Sequence, residues 1–235
     1  MKPSFFLVLP VCALVIAPSV SCEATSAASR EPRTHDIEQR ITVAKDALAV
    51  LSTISVMREH SQGYSRSLFS HWKDIDGDGC DARQQVLKRD SVTFPQVDYP
   101  CRVIEGDWVS PYDGARWTNP SDVDIDHVVA LKEAWDSGAW QWTKARRTAF
   151  ANDTSDRRTL LAVTDNVNQA KSDKDPSNWL PPRTSYRCTY VANWIAIKAR
   201  WGLSMDQSEY GRLRNLLRGE CKGTKMASWT PAPAR

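Results

Sequence analysis

The run Ser121-Asp122-Val123-Asp124-Ile125-Asp126-His127-Val128-Val129 decides how this chain is read, together with Leu160-Leu161-Ala162-Val163-Thr164 and Asn168-Gln169-Ala170-Lys171-Ser172-Asp173 downstream. From Val123 to Val129 apolar and polar residues alternate, which predicts a strand with Asp124 and Asp126 on one face. Leu160 to Val163 is a short apolar strand. Asp165 or Asn166 can cap a helix that runs to about Ser172 and carries Asn168. Adjacent strand residues point to opposite faces. Asp126 and His127 therefore share one site only if the strand ends or bends at His127, or if the site straddles it.

These residue types suit one kind of chemistry. An imidazole titrates near neutral pH and can serve as a general base. Asp and Asn offer hard oxygens, which suit Mg²⁺ or a similar ion rather than a soft one. A base for water and a cation for phosphate charge are what phosphodiester hydrolysis requires.

The two halves of this pattern resemble an HNH nuclease motif, and the same shape occurs in the HNH domain of RNA-guided CRISPR nucleases. The chain is more closely similar to secreted bacterial and fungal proteins of the GmrSD-type HNH endonuclease family, from about Gly63 to Cys221. The shared stretches include Gly63-Tyr64-Ser65-Arg66, Asp76-Gly77-Asp78-Gly79-Cys80, Ala134-Trp135-Asp136-Ser137-Gly138, Phe150-Ala151-Asn152-Asp153 and Asp173-Lys174-Asp175-Pro176-Ser177-Asn178-Trp179-Leu180-Pro181.

The resemblance implies a ββα-metal (His-Me finger) core in which His127 is the general base. Asp126 and Asn168 would hold Mg²⁺ or Mn²⁺. Asn168 stands where the last His of the HNH name would be. The middle Asn, which orients the His, aligns at or near Thr159. The Thr159 hydroxyl, a backbone carbonyl or Asn152 could take over that role. Lys171 and Lys174 are candidates for phosphate contacts. Asp124, on the face of Asp126, could tune the site or ligate directly. Asp173 and Asp175 read as structural.

Outward from this centre, the chain has 235 residues, 41% hydrophobic and 25% charged, with a net charge of +3. That is ordinary globular composition, compatible with nucleic-acid binding without arguing for it. The ten Trp read first as core and surface anchors. Residues 1–22 read as a signal peptide, with Lys2 before an apolar run from Phe5 to Ala17. Lipid attachment at Cys22 is the alternative. Residues 23–36 read as a spacer, and 37–59 as an amphipathic helix with Ile41, Ala44, Leu48, Leu51 and Ile54 on one side. Residues 60–222 form the nuclease domain, and 223–235 a flexible tail. Signals from Gly63 to Pro120 are short and mixed, as for loops and short strands. Helices are expected over 130–150, broken at Ser137-Gly138, and over 188–220. No segment after the leader could span a membrane.

Four cysteines remain beyond the leader: Cys80, Cys101, Cys188 and Cys221. An even count in an exported chain points to two disulfides. Of three pairings, Cys80–Cys101 and Cys188–Cys221 are preferred, because each pair is close in sequence. A zinc site fails on spacing. The fold class expected is α+β: a ββα-metal core wrapped by helices and stapled by two disulfides.

Asp74-Ile75-Asp76-Gly77-Asp78-Gly79 has alternate carboxylates, like the start of a Ca²⁺ loop, but its twelfth position is Gln85 where an EF-hand needs Glu. A turn stapled by Cys80 is the preferred reading, with structural Ca²⁺ at Asp74, Asp76 and Asp78 as the alternative. Arg83 and Arg89 nearby are further phosphate candidates. His35, His60 and His71 read as structural. The expected function is that of an extracellular, monomeric endonuclease of low sequence specificity acting on DNA, with RNA as a second substrate. The competing reading is a Ca²⁺-stabilised extracellular binding protein that has lost catalysis.

Overall fold

A computed structural model describes residues 44–232. The expected leader, Cys22, the spacer and Ile41 lie outside the described residues. In chain order the elements are strand β1 (Lys45–Asp46), helix α1 (Ala47–Leu51), helix α2 (Ala82–Asp90), strands β2 (Gln96–Asp98), β3 (Arg102–Glu105), β4 (Trp108–Val109), β5 (Arg116–Trp117) and β6 (Val123–His127), helices α3 (Leu131–Asp136) and α4 (Lys144–Ala151), strand β7 (Leu160–Thr164), helices α5 (Asp165–Lys171), α6 (Arg187–Trp201) and α7 (Gln207–Arg218), and strand β8 (Lys225–Met226). The fold is mixed α+β, its strands paired two by two: β1 with β8, β2 with β3, β4 with β5, and β6 with β7.

The β6–β7 pair is the centre. It is antiparallel, with Val123 opposite Thr164, Asp126 opposite Leu161 and His127 opposite Leu160. Alternation gives it two different faces. Val123, Ile125, Leu160 and Ala162 pack with Ala82, Val86 and Leu87 of α2 and with Trp108. The buried Trp108 indole donates its N–H to the Leu87 carbonyl at 2.9 Å, closing that small core. Helix α5 contacts both strands. It follows β7 with no intervening loop, so strand, strand and helix form one unit.

The larger core lies around α6, whose Tyr190, Val191, Trp194, Ile195, Ile197 and Trp201 are buried. Gly202, at φ 67°, ends α6 in the left-handed conformation that a residue without Cβ adopts at low cost. Helix α7 starts at Asp206, whose Oδ1 accepts the Ser208 and Glu209 N–H groups. A polar knot joins three helices inside this core: Lys198 Nζ bonds Glu133 Oε1 at 2.5 Å and Glu209 Oε2 at 2.7 Å.

Both disulfides have the preferred pairing, Cys80–Cys101 and Cys188–Cys221. The first joins the turn before α2 to the start of the β3 arm. The second joins the first turn of α6 to the end of α7.

Four expectations change. The amphipathic helix is described only as Ala47–Leu51. It stops there because the Ser52 and Thr53 hydroxyls bond back to the Ala49 and Val50 carbonyls, after which Val56 bridges Met205. Helix α2 falls where only loops and short strands were expected. Asp81 caps it, accepting the Gln84 N–H at 2.9 Å. The cap of helix α5 falls at Thr164, one or two residues before the expected Asp165 or Asn166, and makes no side-chain cap bond. The Thr164 hydroxyl instead accepts the Trp117 indole N–H and donates to Asp113. The expected flexible tail, 223–235, is tied down over its described part, 223–232. Its β8 pairs with β1, and Trp229 lies under the Lys45 ammonium at 4.1 Å. Among the described residues no helix is long and apolar enough to cross a membrane.

Candidate active site

One face of β6 carries Asp124 and Asp126 toward α5. In a helix, residues three apart share a side, so Asn168 and Lys171 both reach this face. Each meets a different carboxylate. Asn168 Nδ2 donates to Asp124 Oδ2 at 3.1 Å. Lys171 Nζ donates to Asp126 Oδ1 at 2.8 Å and to the His127 carbonyl at 3.0 Å. The second Asp126 oxygen accepts the Tyr112 hydroxyl at 2.5 Å. Burial pushes the Asp126 carboxyl up, opposed by the adjacent Lys171 charge. The Asp124–Asn168 pair is half-buried and the Asp126–Lys171 pair is fully enclosed.

His127 lies on the other face, as alternation requires, because it is still within the ladder opposite Leu160. Its Nε2 is 2.9 Å from the Ala151 carbonyl at the end of α4. A carbonyl only accepts, so Nε2 carries the hydrogen and the neutral ring keeps its lone pair on Nδ1. The ring is 5% exposed. Burial lowers its pKa to about 3, so it is uncharged at neutral pH.

Trp72 covers this imidazole, ring centroids 5.5 Å apart. Its backbone is at φ 55°, a conformation that costs energy for a bulky residue. Asn152 holds the segment in place. Its Oδ1 accepts the Lys73 N–H at 2.7 Å, and its Nδ2 donates to the carbonyls of Ser70 at 2.7 Å and Thr148 at 2.8 Å. One short stretch, Ala151-Asn152, thus sets both the ring of His127 and the tryptophan above it.

Of the three candidates for orienting His127, the backbone carbonyl is the one in contact. The Asn152 side chain is spent on the 70–73 segment. The Thr159 hydroxyl donates to Asp153 at 3.0 Å, and the Thr159 carbonyl accepts the Val128 N–H.

Three phosphate candidates are placed elsewhere. Lys171 has no exposed surface, so it holds Asp126 and cannot meet a polyanion. Arg83 Nη2 donates to the Pro120 and Val123 carbonyls, each at 2.9 Å, and pins the start of β6. Arg89 pairs with Asp90 and bonds the Leu160 carbonyl at 2.6 Å. Lys174 is exposed, its ammonium folded onto the Ala170 carbonyl at 2.7 Å. Asp173 is exposed beside Ser172, and Asp175 accepts the Ser177 and Asn178 N–H groups as a loop brace.

Asp74, Asp76 and Asp78 form an exposed turn with carboxylate oxygens within 4.8 Å of one another. Asp74 accepts the Gly77 and Gly79 N–H groups, Asp78 the Cys80 N–H, and Gln85 donates its amide to Asp76 at 3.0 Å. Gln85, at the twelfth position, acts there as a donor to the turn.

Asp124 Oδ1 and Asn168 Oδ1 have no protein hydrogen bond among the described residues, and Asp126 stands two residues along the same strand face. These are hard oxygens and they fit Mg²⁺ or Mn²⁺. The side-chain contact of Asn168 is with Asp124, while Asp126 is held by Lys171 and Tyr112.

Residues 81–216, which include α2, β6, β7 and α5, match the family described as GmrSD restriction endonucleases, C-terminal domain. A protein of Arthroderma benhamiae named "Uncharacterized secreted protein" is 50% identical over 178 residues, which cover 75% of this chain and 86% of that protein. No solved structure matches. Two formed disulfides and a secreted relative identify an extracellular protein. By the extent of that family match, the chain belongs to the family of the GmrSD restriction endonuclease C-terminal domain, a nuclease family.

Proposed function

We propose that this protein is a metal-dependent endonuclease of the HNH type that hydrolyses phosphodiester bonds of DNA, with RNA as a second substrate, at low sequence specificity. The β6–β7–α5 unit would be its ββα-metal core. The observation that carries the reading is the anchoring of His127: Nε2–H is fixed by Ala151, and Nδ1 is left as a lone-pair base. It stands at the end of the strand whose other face bears Asp124, bonded to Asn168, and Asp126, bonded to Lys171. The reactive centre would straddle that strand end.

His127 Nδ1 would take a proton from water, and the oxygen would attack phosphorus. The bond to the 3′ oxygen breaks, and that oxygen leaves with a proton from solvent. Asn168 and the carboxylates Asp124 and Asp126 would hold Mg²⁺ or Mn²⁺. When bound, such an ion supplies charge neutralisation at the phosphate and the leaving oxygen. Burial pushes the Asp126 carboxyl up and Lys171 opposes that push, while Tyr112 fixes its second oxygen. Trp72 limits water at the imidazole. Phosphate contacts alone carry no sequence information, which fits low specificity.

A second reading draws on the burial of His127 and the engagement of both Asp126 oxygens: an extracellular binding protein without catalysis, with Ca²⁺ on the Asp74–Asp78 turn. Metal titration of cleavage separates the two. Asn168→Ala and Asp124→Asn should each raise the Mg²⁺ concentration for half-maximal cleavage at least tenfold, while Asp76→Asn leaves it unchanged. Metal dependence indifferent to Asn168 and Asp124 would remove the metal assignment.

A further inference from the structure

A second group of carboxylates lies apart from β6 and is not used in the proposed chemistry. Glu59 comes from the segment after α1, Glu133 from α3, and Asp175 from the loop after α5. One oxygen from each lies within 4.8 Å of the others. Glu133 is 4% and Asp175 5% exposed, whereas Glu59 opens to solvent.

Each buried member has one oxygen in use. Glu133 Oε1 accepts Lys198 Nζ at 2.5 Å and Ser137 Oγ at 2.6 Å. Asp175 Oδ1 accepts the Ser177 N–H at 2.7 Å, the Ser177 hydroxyl at 2.5 Å and the Asn178 N–H at 3.2 Å. Glu133 Oε2, Asp175 Oδ2 and both oxygens of Glu59 have no protein hydrogen bond among the described residues.

A buried orphan oxygen lies one turn along α3 from Glu133. Asp136, next on the side of α3 that carries Glu133, is 7% exposed, and its Oδ1 is buried with no hydrogen-bond partner. Lys132 occupies only its other oxygen. The charges of Glu133, Asp206, Asp136 and Asp175, in that order, raise Glu59, and Glu133 raises Asp136. Burial, followed by these charges, brings the Glu59 carboxyl up to about 7. The cations in contact are Lys132 and Lys198, and Lys198 is shared with Glu209. Asp136, Glu133 and Glu209 share these two ammonium groups, and among the described residues Glu59 and Asp175 pair with neither; like charges out of water repel strongly.

We propose that Glu59, Glu133 and Asp175, with the orphaned oxygen of Asp136 at its edge, form a divalent-cation site, suited to Ca²⁺, that ties the segment after α1 to α3 and to the loop behind α5. All the donors are hard oxygens, two of them on irregular chain, which matches the flexible coordination of Ca²⁺ better than the strict octahedron of Mg²⁺. An extracellular protein meets Ca²⁺ at concentrations that fill weak sites. The site is structural: it fastens the loop that follows the Asn168 helix and takes no part in bond cleavage. It stands independently of the nuclease reading.

The test uses the full oxidised protein, stripped with EDTA and dialysed, and titrated with CaCl₂ by calorimetry and thermal melting. The expected result is one Ca²⁺ bound and a Tm rise of roughly 5–10 °C at a hundredfold excess over Kd. Glu59→Gln, at an exposed position that the fold tolerates, should weaken Ca²⁺ at least tenfold and remove most of the Tm rise. Asp175→Asn should do the same if it folds. Asp74→Asn/Asp76→Asn and Asn168→Ala should keep the response. No Ca²⁺ binding, a response unchanged in Glu59→Gln, or one lost in either control variant would overturn the proposal.

Discussion

Replacing Lys171 by Met tests the enclosed pair most sharply. Methionine keeps most of the stem and removes the ammonium. The lost contacts are the 2.8 Å bond to Asp126 Oδ1 and the 3.0 Å bond to the His127 carbonyl, at a side chain with no exposure. Breaking a buried pair by removing one partner costs about 3–5 kcal/mol, because the remaining charge is stranded. Burial already pushes the Asp126 carboxyl up, and the Lys171 charge opposes it. Without that charge burial pushes the Asp126 carboxyl up further, which keeps the cost from going higher. In a domain of this size the Tm should fall by roughly 6–20 °C. The assay is urea unfolding followed by tryptophan fluorescence at pH 7, on Lys171→Met, Asp126→Asn and the double variant. The double variant should be less destabilised than the sum of the singles by about 2 kcal/mol or more. A Lys171→Met protein within about 1 kcal/mol of the parent, or strict additivity, would refute the reasoning and return Lys171 to solvent, where a phosphate contact becomes possible again.

Acid should weaken the fold through His127. Its folded pKa of about 3 lies below its ordinary 6.5, so the unfolded chain takes the proton first. That contribution is complete above about pH 6.5 and is lost as pH falls toward 3, up to about 4–5 kcal/mol. Urea midpoints between pH 7 and 4 should show this slope in the parent and a flatter one in His127→Gln; equal slopes would contradict it. Asn152→Ala leaves the Lys73 N–H and the Ser70 carbonyl without their partner, so it should cost about 2–3 kcal/mol and change Trp72 emission, whereas unchanged emission would mean the clamp is not what holds the indole. Cys188→Ser/Cys221→Ser opens a loop of sequence separation 33 and should cost about 4 kcal/mol in the chain-entropy account, read as a shift in urea midpoint.

What could be read from sequence was whatever has a period, a cap or a count. The alternation from Val123 to Val129 located β6 and placed Asp124 with Asp126. The apolar run at Leu160 located β7, and an even number of cysteines narrowed the pairing. Helix α2 was hidden because Ala82-Arg83-Gln84-Gln85-Val86-Leu87-Lys88-Arg89-Asp90 buries only Ala82, Val86 and Leu87, too few for a clear helical stripe. Lys171 was misplaced because lysines are rarely enclosed unless paired, and its pairing with Asp126 depends on tertiary structure. Tyr112 has no local signal: it reaches Asp126 from a loop before β5. The Ala151 carbonyl is backbone and leaves no trace in residue identity. Trp72 could have been suspected only from its place after His71, since its left-handed backbone is not encoded by a glycine.

The most direct measurement is cleavage of plasmid DNA and of RNA by the oxidised protein in Mg²⁺, Mn²⁺, Ca²⁺ and EDTA, beside a folded His127→Ala variant. The account predicts cleavage in Mg²⁺ or Mn²⁺, none in EDTA, and a loss of about 10²–10⁴ in rate when His127 is removed. Cleavage that persists in EDTA, cleavage undiminished in His127→Ala, or no cleavage of either polymer with any metal would contradict it.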